Sequence, residues 1–215
     1  PDPAHKASAR DLSTLARAII RNSSEYYGIY AEKSFTFNGI KQGNRNALLY
    51  TDPTVDGLKT CHTDAAGYCL IASAVRGPRR LLSVLLGASS DNMRTQESQK
   101  LLNYGYQHFD TVKVYDPKQA AITPRVWKGT INQVRAGLVQ GLYVTVPTGQ
   151  GPQLKARVET VQPLLAPIKT GQNIATLKLE LNGKPYHTLP MVALEDVPQA
   201  SIIGRAWDHM RLYFQ

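Results

Sequence analysis

The feature that most constrains this fold is a change in hydrophobic period near Asp110. Before Asp110, two stretches show helical spacing, and short β-rich runs lie between them. From Val112 to Pro198 the helical period disappears, and turn residues recur about every ten positions. This order of patterns predicts an α+β fold, with a mixed first domain at 1–110 and an all-β second domain at 111–198.

The first domain is predicted to begin and end with a helix. Residues 8–22 carry Ser8 and Asp11 at capping-box spacing, followed by apolar residues that share one face. Residues 91–109 form the second predicted helix, with Asp91 near its N-terminus. The positions that share a face in this second helix are Ser98, Leu101, Leu102, Gly105 and Phe109.

Between these helices the sequence predicts an antiparallel meander. Short strands are expected at 34–37 ("SFTF") and 46–50 ("NALLY"). A hairpin at 55–75 turns at the Thr-Asp-Ala-Ala-Gly segment 63–67, and a third strand follows at 80–88. The first domain is therefore expected to contain three meander strands flanked by helices.

The second domain shows the period of two that is typical of half-buried strands. Leu142, Val144 and Val146 alternate with polar residues, and so do the apolar residues of 175–181. Asn182-Gly183 predicts a type I′ hairpin turn. These patterns indicate a small β-sandwich, and without a cluster of catalytic side chains we interpret it as structural.

The tail returns to helical spacing, and we predict an amphipathic helix at 199–215. Its apolar face consists of Ile203, Trp207, Met210 and Phe214. A helix of this kind lies in a membrane interface or packs on its own domain, and the sequence leaves both interpretations open.

The charge of the chain limits its partners. The formal net charge is +9, which is compatible with an anionic polymer or an anionic lipid surface. The basic residues are scattered, however, and the densest cluster is Arg76, Arg79 and Arg80. Because aromatic residues are not interleaved with them as a base-stacking platform requires, we expect no nucleic-acid partner.

Other absences from the sequence exclude further classes of site. No run of about 18 apolar residues is present, so no segment is expected to span a membrane. The five histidines show no mutual ligand spacing, and no phosphate-cradling glycine loop is present, so we expect neither a metal nor a cofactor. The sequence begins Pro-Asp-Pro and shows no secretory signal, so we expect it to belong to a longer polypeptide.

The first strand of the hairpin ends in four reactive or polar residues, Lys59, Thr60, Cys61 and His62. Strand ends with such side chains often face a ligand, but a solvated hairpin tip would carry the same residues. The hairpin by itself leaves both interpretations open.

Three segments, in order, carry a resemblance to a known family. They are "NGIKQGNRNALLY", "VDGLKTCHTDAAGY" and "MRTQESQKLLNYGY". Together they resemble the low-molecular-mass penicillin-binding proteins, the serine D-alanyl-D-alanine carboxypeptidases, over nearly the whole chain. The resemblance implies a partial transpeptidase-like domain, a β-rich second domain and an amphipathic tail.

The family uses three motifs: Ser-x-x-Lys with the nucleophile, Ser-x-Asn, and Lys-Thr-Gly on a strand beside the active site. Lys59-Thr60-Cys61 corresponds to the third motif, and no Ser-x-x-Lys is present. The Ser-Asp-Asn at 90–92 fits the second pattern but follows the hairpin, so we interpret it as helix capping. The resemblance therefore implies the C-terminal part of the enzyme, without its nucleophile.

The resemblance also implies roles for individual residues. Lys59 would place a cation beside the base network of the nucleophile, and Thr60 would offer its hydroxyl to the substrate carboxylate. The backbone N–H of His62 matches a donor of the family's oxyanion hole. Arg94 matches an arginine that grips the carboxylate, and Arg45 matches a supporting arginine near the site.

The implied substrates are peptidoglycan stem peptides, which lose their terminal D-Ala, and β-lactams, which become trapped as acyl adducts. The implied location is the periplasm, with the tail helix on the inner-membrane surface. The chain alone is expected to be inactive, and to associate with the missing N-terminal part as a second chain or with itself. The alternative is a non-catalytic scaffold fragment that binds peptidoglycan or membrane.

Cys61 stands where the resembled family has glycine, and its side chain narrows the approach to the strand. It is expected to share a face with Lys59 and to point toward the substrate groove. The thiol is tolerated with altered activity, acts as a redox-sensitive group, or pairs with Cys69. The predicted register sets Cys61 opposite Leu70 and diagonal to Cys69, so our hypothesis is two free thiols.

Overall fold

A computed structural model of the chain describes residues 6–202, 208 and 210. The chain divides into two compact units, Pro1–His108 and Phe109–Gln215. Both helices and strands are present, and most elements are strands. The predicted mixture of α and β structure is therefore confirmed in its general form.

The first unit contains four helices and five strands among its described residues. The helices are α1 (Ala9–Asn22), α2 (Ser24–Tyr27), α3 (Leu48–Thr51) and α4 (Asp91–His108), with a 3₁₀ turn at Gly28–Ala31. The strands are β1 (Ser34–Phe37), β2 (Ile40–Gly43), β3 (Val55–Thr63), β4 (Gly67–Arg76) and β5 (Arg79–Ala88).

Helix α1 begins with the predicted capping box. The Ser8 hydroxyl accepts a hydrogen bond from the Asp11 N–H at 3.2 Å, and the Asp11 carboxylate accepts one from the Ser8 N–H at 3.0 Å. These two bonds satisfy N–H groups that the first helical turn leaves without a partner. The buried side of α1 centres on Ala16, which packs in a cluster with Tyr27 and Leu58.

Strands β3, β4 and β5 form the predicted antiparallel meander, in that order. Thr63 lies opposite Gly67, so the loop between them has three residues, and the Ala66 N–H donates to the Thr63 carbonyl oxygen at 3.2 Å. Gly67 has φ = 64°, in the left-handed region that glycine adopts without steric cost. This loop fixes the register of the whole hairpin.

The strand predicted at 46–50 is wrong, because a short helix, Leu48–Thr51, occupies most of it. Asn46 starts this turn: its side-chain oxygen accepts a hydrogen bond from the Leu48 N–H at 3.3 Å. The amide of Asn46 also donates to the carbonyl oxygen of Gly57 at 3.0 Å, which ties the turn to β3. Short apolar runs fit a buried helical turn as well as a strand, and here the asparagine decides.

Helix α4 lies where 91–109 predicted it, and it ends one residue earlier. Its buried residues are Arg94, Ser98 and Leu102. Leu101, which we placed on the apolar face, is 46% exposed in this chain. The buried face is therefore narrower than the apolar spacing indicated.

The described part of the second unit consists mainly of strands, with a 3₁₀ turn at Gly151–Gln153. The strands are β6 (Phe109–Tyr115), β7 (Ala120–Ile122), β8 (Val126–Trp127), β9 (Ala136–Gly137), β10 (Leu142–Pro147), β11 (Leu154–Thr160), β12 (Leu164–Leu165), β13 (Asn173–Leu181) and β14 (Lys184–Ala193). A five-stranded sheet has the order β11-β13-β14-β9-β7, and two-stranded sheets join β10 with β6 and β12 with β8.

The predicted strands at 142–146 and 175–181 lie within β10 and β13, and their inward residues belong to one buried cluster. Asn182 and Gly183 both have positive φ, as the predicted type I′ turn requires. The description of this unit as a β-sandwich stays a prediction.

Residues 203–207, 209 and 211–215 lie outside the described part of the chain. The predicted tail helix therefore falls largely outside it, including Ile203, Trp207 and Phe214. The described Asp208 accepts a hydrogen bond from the Lys128 N–H at 2.7 Å. Across the described residues, no helix combines the length and the apolar character needed to cross a bilayer.

Candidate active-site cleft

A cleft of about 510 Å³ lies in the first unit, at the end of β3. It is lined by residues from β3, β4, the first turn of α4 and the loop before α3. The lining residues are Arg45, Lys59, Thr60, Cys61, His62, Tyr68, Asp91 and Arg94. All six residues that the sequence singled out therefore meet in one cleft, together with two that it did not assign to a site.

The position of β3 explains why its end can form a wall. In the described part of the chain β3 pairs only with β4, so its other edge is free of strand partners. Alternate backbone groups of such an edge point outward, where a ligand can meet them. Lys59 is exposed on this strand, and its ammonium donates to the carbonyl oxygen of Thr60.

His62 lies opposite Tyr68 across the hairpin, and their rings are in contact. The ring centroids are 4.0 Å apart, with an angle of 41° between the planes. Tyr68 was not among the site residues predicted from the sequence. The signal was available, since a three-residue hairpin loop places Tyr68 directly across from His62.

Arg94 is the buried member of the cleft, with 4% of its side chain exposed. Its Nη2 donates to the carbonyl oxygen of Arg45 at 3.0 Å and forms an ion pair with the Asp91 carboxylate. Its guanidinium carbon lies 5.7 Å from the centre of the Tyr68 ring, within cation–π range. Arg94 therefore links α4, β4 and the loop that carries Arg45.

The Ser-Asp-Asn segment at 90–92 caps α4, which confirms that interpretation. The Ser90 hydroxyl accepts a hydrogen bond from the Met93 N–H at 3.1 Å. Asp91 then begins the helix, where a carboxylate is favoured by the helix dipole. The same carboxylate lines the cleft and pairs with Arg94.

The two cysteines correct the predicted register. Cys61 lies directly opposite Cys69, whereas our register set it opposite Leu70. The prediction centred the turn between two alanines, but the three-residue loop shifts the pairing by one position. Both thiols are free, with Cys61 exposed in the cleft and Cys69 buried.

The charges of the cleft favour an anion. Of its eight lining residues, Arg45, Lys59 and Arg94 are cationic and Asp91 alone is a carboxylate. Because Asp91 already pairs with Arg94, the other two cations keep their attraction for a ligand. The described residues contain no group of three or more His, Cys, Asp and Glu that could hold a metal ion.

A polar network at the opposite end of the β3–β4 hairpin from the cleft holds α4 in place. The Asp52 carboxylate accepts hydrogen bonds from Arg76 and Gln99, each at 3.0 Å. Burial raises the pKa of the Asp52 carboxyl. The hydrogen bonds from Thr54 and Gln99 act in the opposite direction and hold that pKa at about 2, below its ordinary 3.8. The ionised carboxylate therefore anchors the helix that carries Arg94.

Two protein families match successive parts of the chain. Residues 1–90 match the family described as "D-alanyl-D-alanine carboxypeptidase", and residues 109–199 match "Penicillin-binding protein 5, C-terminal domain". This chain belongs to the low-molecular-mass penicillin-binding proteins. Within them, it is assigned to the serine-type D-alanyl-D-alanine carboxypeptidases.

The similarity to individual penicillin-binding proteins extends over nearly the whole chain. The carboxypeptidase DacC of Escherichia coli (strain K12) is 42% identical over 99% of this chain and 54% of its own length. The carboxypeptidase DacA of Haemophilus influenzae is 41% identical over 98% of this chain and 54% of its own length. The chain thus spans about half the length of the curated relatives it matches.

Solved structures of penicillin-binding proteins agree with the fold. Penicillin binding protein 5 from Haemophilus influenzae superposes with a TM-score of 0.86 at 40% identity, covering 92% of this chain and 58% of that one. Penicillin binding protein 6B from Escherichia coli superposes with a TM-score of 0.63 at 37% identity, covering 87% of this chain and 50% of that one.

Proposed function

We propose that this chain is the C-terminal part of a serine D-Ala-D-Ala carboxypeptidase and that its cleft forms one wall of the active site. The observation that carries the proposal is the meeting of Arg45, residues 59–62 and Arg94 in one cationic cleft. The opposite wall, with the attacking serine, would come from the part of the relatives that this chain does not span.

Lys59 and Thr60 would act on the substrate and on the nucleophile. The substrate is a peptidoglycan stem peptide that ends in a free carboxylate, and a cation beside it attracts that group. The same cation would favour the deprotonated form of the base that activates the serine. The Thr60 hydroxyl would donate a hydrogen bond to the carboxylate.

The backbone N–H of His62 would stabilise the oxyanion. The serine attacks the carbonyl carbon of the penultimate D-Ala, and the carbonyl oxygen gains a negative charge that needs preorganised donors. Loss of one such donor costs about 2.7–4 kcal/mol of transition-state stabilisation. The His62 ring, held against Tyr68, would fix the conformation of this part of the strand.

The contacts of Arg94 favour a positioning role over the direct grip on the carboxylate that its match to the family implied. Its Nη2 is engaged with the Arg45 carbonyl and the Asp91 carboxylate, and its side chain is almost fully buried. Arg45 is exposed, so its guanidinium can meet the substrate carboxylate. Arg94 would then hold the loop that presents Arg45.

The acyl-enzyme forms as the terminal D-Ala leaves, and water then releases the shortened peptide. A β-lactam would follow the first step and stay bound as an acyl adduct. Because the chain has no Ser-x-x-Lys motif, it would need the N-terminal part for either reaction. We place the complete enzyme in the periplasm, with the 199–215 helix on the inner-membrane surface.

The exposed apolar surface of the first unit supports association with that part. Leu15 on α1 is 56% exposed, and Leu86 on β5 is 41% exposed. Phe35 and Phe37 on the β1–β2 hairpin are 68% and 70% exposed. Phe35 and Phe37 stack on each other and form an exposed apolar patch, and such patches mark interaction surfaces. A second chain with the N-terminal part would cover it, and a lone chain would self-associate.

A chimera tests the proposed function. The residues of E. coli DacC that align with this chain are replaced by it, and covalent labelling by a fluorescent penicillin and release of D-Ala are measured. We expect labelling of the chimera, none of the isolated chain, and strong loss of D-Ala release in the Lys59→Ala chimera. Lys100→Ala, on the exposed side of α4, is the matched control.

Two outcomes would contradict the proposal. A folded chimera, verified by circular dichroism, that neither labels nor releases D-Ala would favour the scaffold alternative, especially if the isolated chain sediments with peptidoglycan. Covalent labelling of the isolated chain, abolished by prior denaturation, would show that the chain carries its own nucleophile.

A further inference from the structure

Two cysteines face each other at the end of the hairpin that forms the cleft wall. Cys61 on β3 and Cys69 on β4 are directly opposite in the antiparallel register, and they form the third pair from the loop. Both are free thiols. They are the only cysteines of the chain, so any internal disulfide must join them.

Their register places the two residues within disulfide range. Directly opposite residues of an antiparallel pair have Cα atoms about 4.5–5.5 Å apart, and disulfides join Cα atoms about 4.4–6.8 Å apart. Opposite side chains also project from the same face of the sheet. The Cβ atoms of directly opposite residues are typically about 4.5–5.5 Å apart, slightly beyond the roughly 3.5–4.5 Å of a relaxed disulfide, so we expect closure to require a small inward movement.

The environments of the two thiols differ in a way that sets the order of reaction. Cys61 is exposed in the cleft, where a dissolved oxidant can reach it. Cys69 is buried, and its Sγ donates to the carbonyl oxygen of Ala66 at 3.4 Å. Cys61 would therefore react first, and Cys69 would resolve the product.

We propose that Cys61 and Cys69 form a redox-modifiable dithiol site, which a small or protein disulfide converts into a cross-strand disulfide. The Cys61 thiolate attacks one sulfur of the oxidant, forms a mixed disulfide and releases one thiol. The Cys69 thiolate attacks the Cys61 sulfur, forms the internal disulfide and releases the second thiol. Two protein thiols are oxidised and one disulfide is reduced to two thiols.

The modification would change the cleft wall. The exposed Cys61 thiol becomes part of a crosslink within the hairpin, and its sulfur moves toward Cys69. Lys59, two residues along the same strand, shares that face of the sheet. The site thus couples oxidation to the end of β3, whether or not the chain belongs to a working carboxypeptidase.

The test uses the purified chain, folded and reduced, incubated with oxidised glutathione. Samples are quenched with acid and examined by intact mass and peptide mapping. We expect a monomer lighter by two hydrogen atoms, with a peptide that joins Cys61 to Cys69 and no thiol left for alkylation. Because closure strains the hairpin, the product should be readily reduced by dithiothreitol, with recovery of both thiols.

The matched control is the double variant Cys61→Ser/His62→Cys. It moves one thiol to position 62, which is also exposed but lies on the opposite face of the strand. Oxidation of this variant should stop at the mixed disulfide and give at least about tenfold less internal disulfide than the original chain. Comparable closure in both proteins would show that proximity in sequence, not register, joins the thiols.

Other results would also overturn the proposal. They are a stable glutathione adduct on Cys61 with Cys69 still a thiol, a disulfide between two chains, or no reaction at either residue.

Discussion

Arg94 donates a hydrogen bond from Nη2 to the carbonyl oxygen of Arg45 at 3.0 Å, joining residues that are 49 positions apart. The bond ties the first turn of α4 to the loop before α3. Through this bond the buried Arg94 holds the backbone of the exposed Arg45. The positive charge of the cleft therefore depends on how α4 packs against the loop before α3. The stability of the first unit should depend on the same contact.

Replacement of Arg94 should destabilise the first unit. Arg94→Ala removes its hydrogen bond to Arg45, its ion pair with Asp91 and its packing on Tyr68. Loss of a buried, charge-assisted bond costs about 1.5–3 kcal/mol, which urea unfolding followed by circular dichroism measures. Arg10→Ala, in the exposed first turn of α1, is the control. An unchanged urea midpoint in Arg94→Ala would contradict the structural role assigned to Arg94.

The ionisation of Asp52 should make stability pH-dependent. Its pKa of about 2 lies below the ordinary 3.8, so its contribution is fully present above about pH 4 and is lost as the pH falls through 2. The side chain is 11% exposed, and the shift corresponds to about 2 kcal/mol.

The measurement is the free energy of unfolding between about pH 2 and 6, the range over which carboxyl groups titrate. Asp52→Asn should flatten the acid part of the curve, whereas Asp64→Asn, in the exposed hairpin loop, should not. Equal acid slopes in the original chain and in Asp52→Asn would contradict the assignment.

Asn46 should contribute strongly to the loop that carries Arg45. It is 2% exposed, and it bonds both the Leu48 N–H and the Gly57 carbonyl oxygen. Asn46→Ala leaves both groups without this partner, and we expect a loss of about 1–3 kcal/mol in urea unfolding. Asn46→Asp keeps the oxygen that accepts from the Leu48 N–H and loses the amide that donates to the Gly57 carbonyl. An unchanged free energy of unfolding in Asn46→Ala would show that water replaces both bonds.

The isolated chain should self-associate through the β1–β2 hairpin. Phe35 and Phe37 stack at a centroid distance of 6.5 Å and are largely exposed. Light scattering should give a mass that rises with concentration, and Phe35→Ser/Phe37→Ser should lower it. Tyr143→Ser, at an exposed aromatic of the second unit, should have no effect. A monomer mass at all concentrations would exclude this association.

Local patterns predicted most elements of the first unit. The capping box of Ser8 and Asp11 marked the start of α1, and the alternation around 63–67 marked the hairpin. These predictions succeed because capping and turn geometry depend on residues within a few positions of each other. The assignment of 46–50 failed because Asn46 bonds to Gly57, a contact that spacing does not reveal.

In the candidate site, too, the sequence predicted the features that depend on local pattern and missed those that depend on contacts across the fold. Three segments in order resembled a family and implied a set of site residues, and every residue of that set lies in the cleft. The contribution of Tyr68 and the pairing of Cys61 with Cys69 depended on the loop length, because a shift of one residue changes every cross-strand neighbour. The burial of Arg94 depended on the packing of α4 against β4 and against the loop that carries Arg45.

The sequence by itself determined the family, the meander between two helices and a set of candidate site residues that line the cleft, because these depend on residue type and local period. Only the tertiary structure decided which backbone carbonyl holds Arg94 and which residue faces Cys61. Those contacts join positions far apart in the chain or depend on a single step of register, and neither is encoded in local spacing.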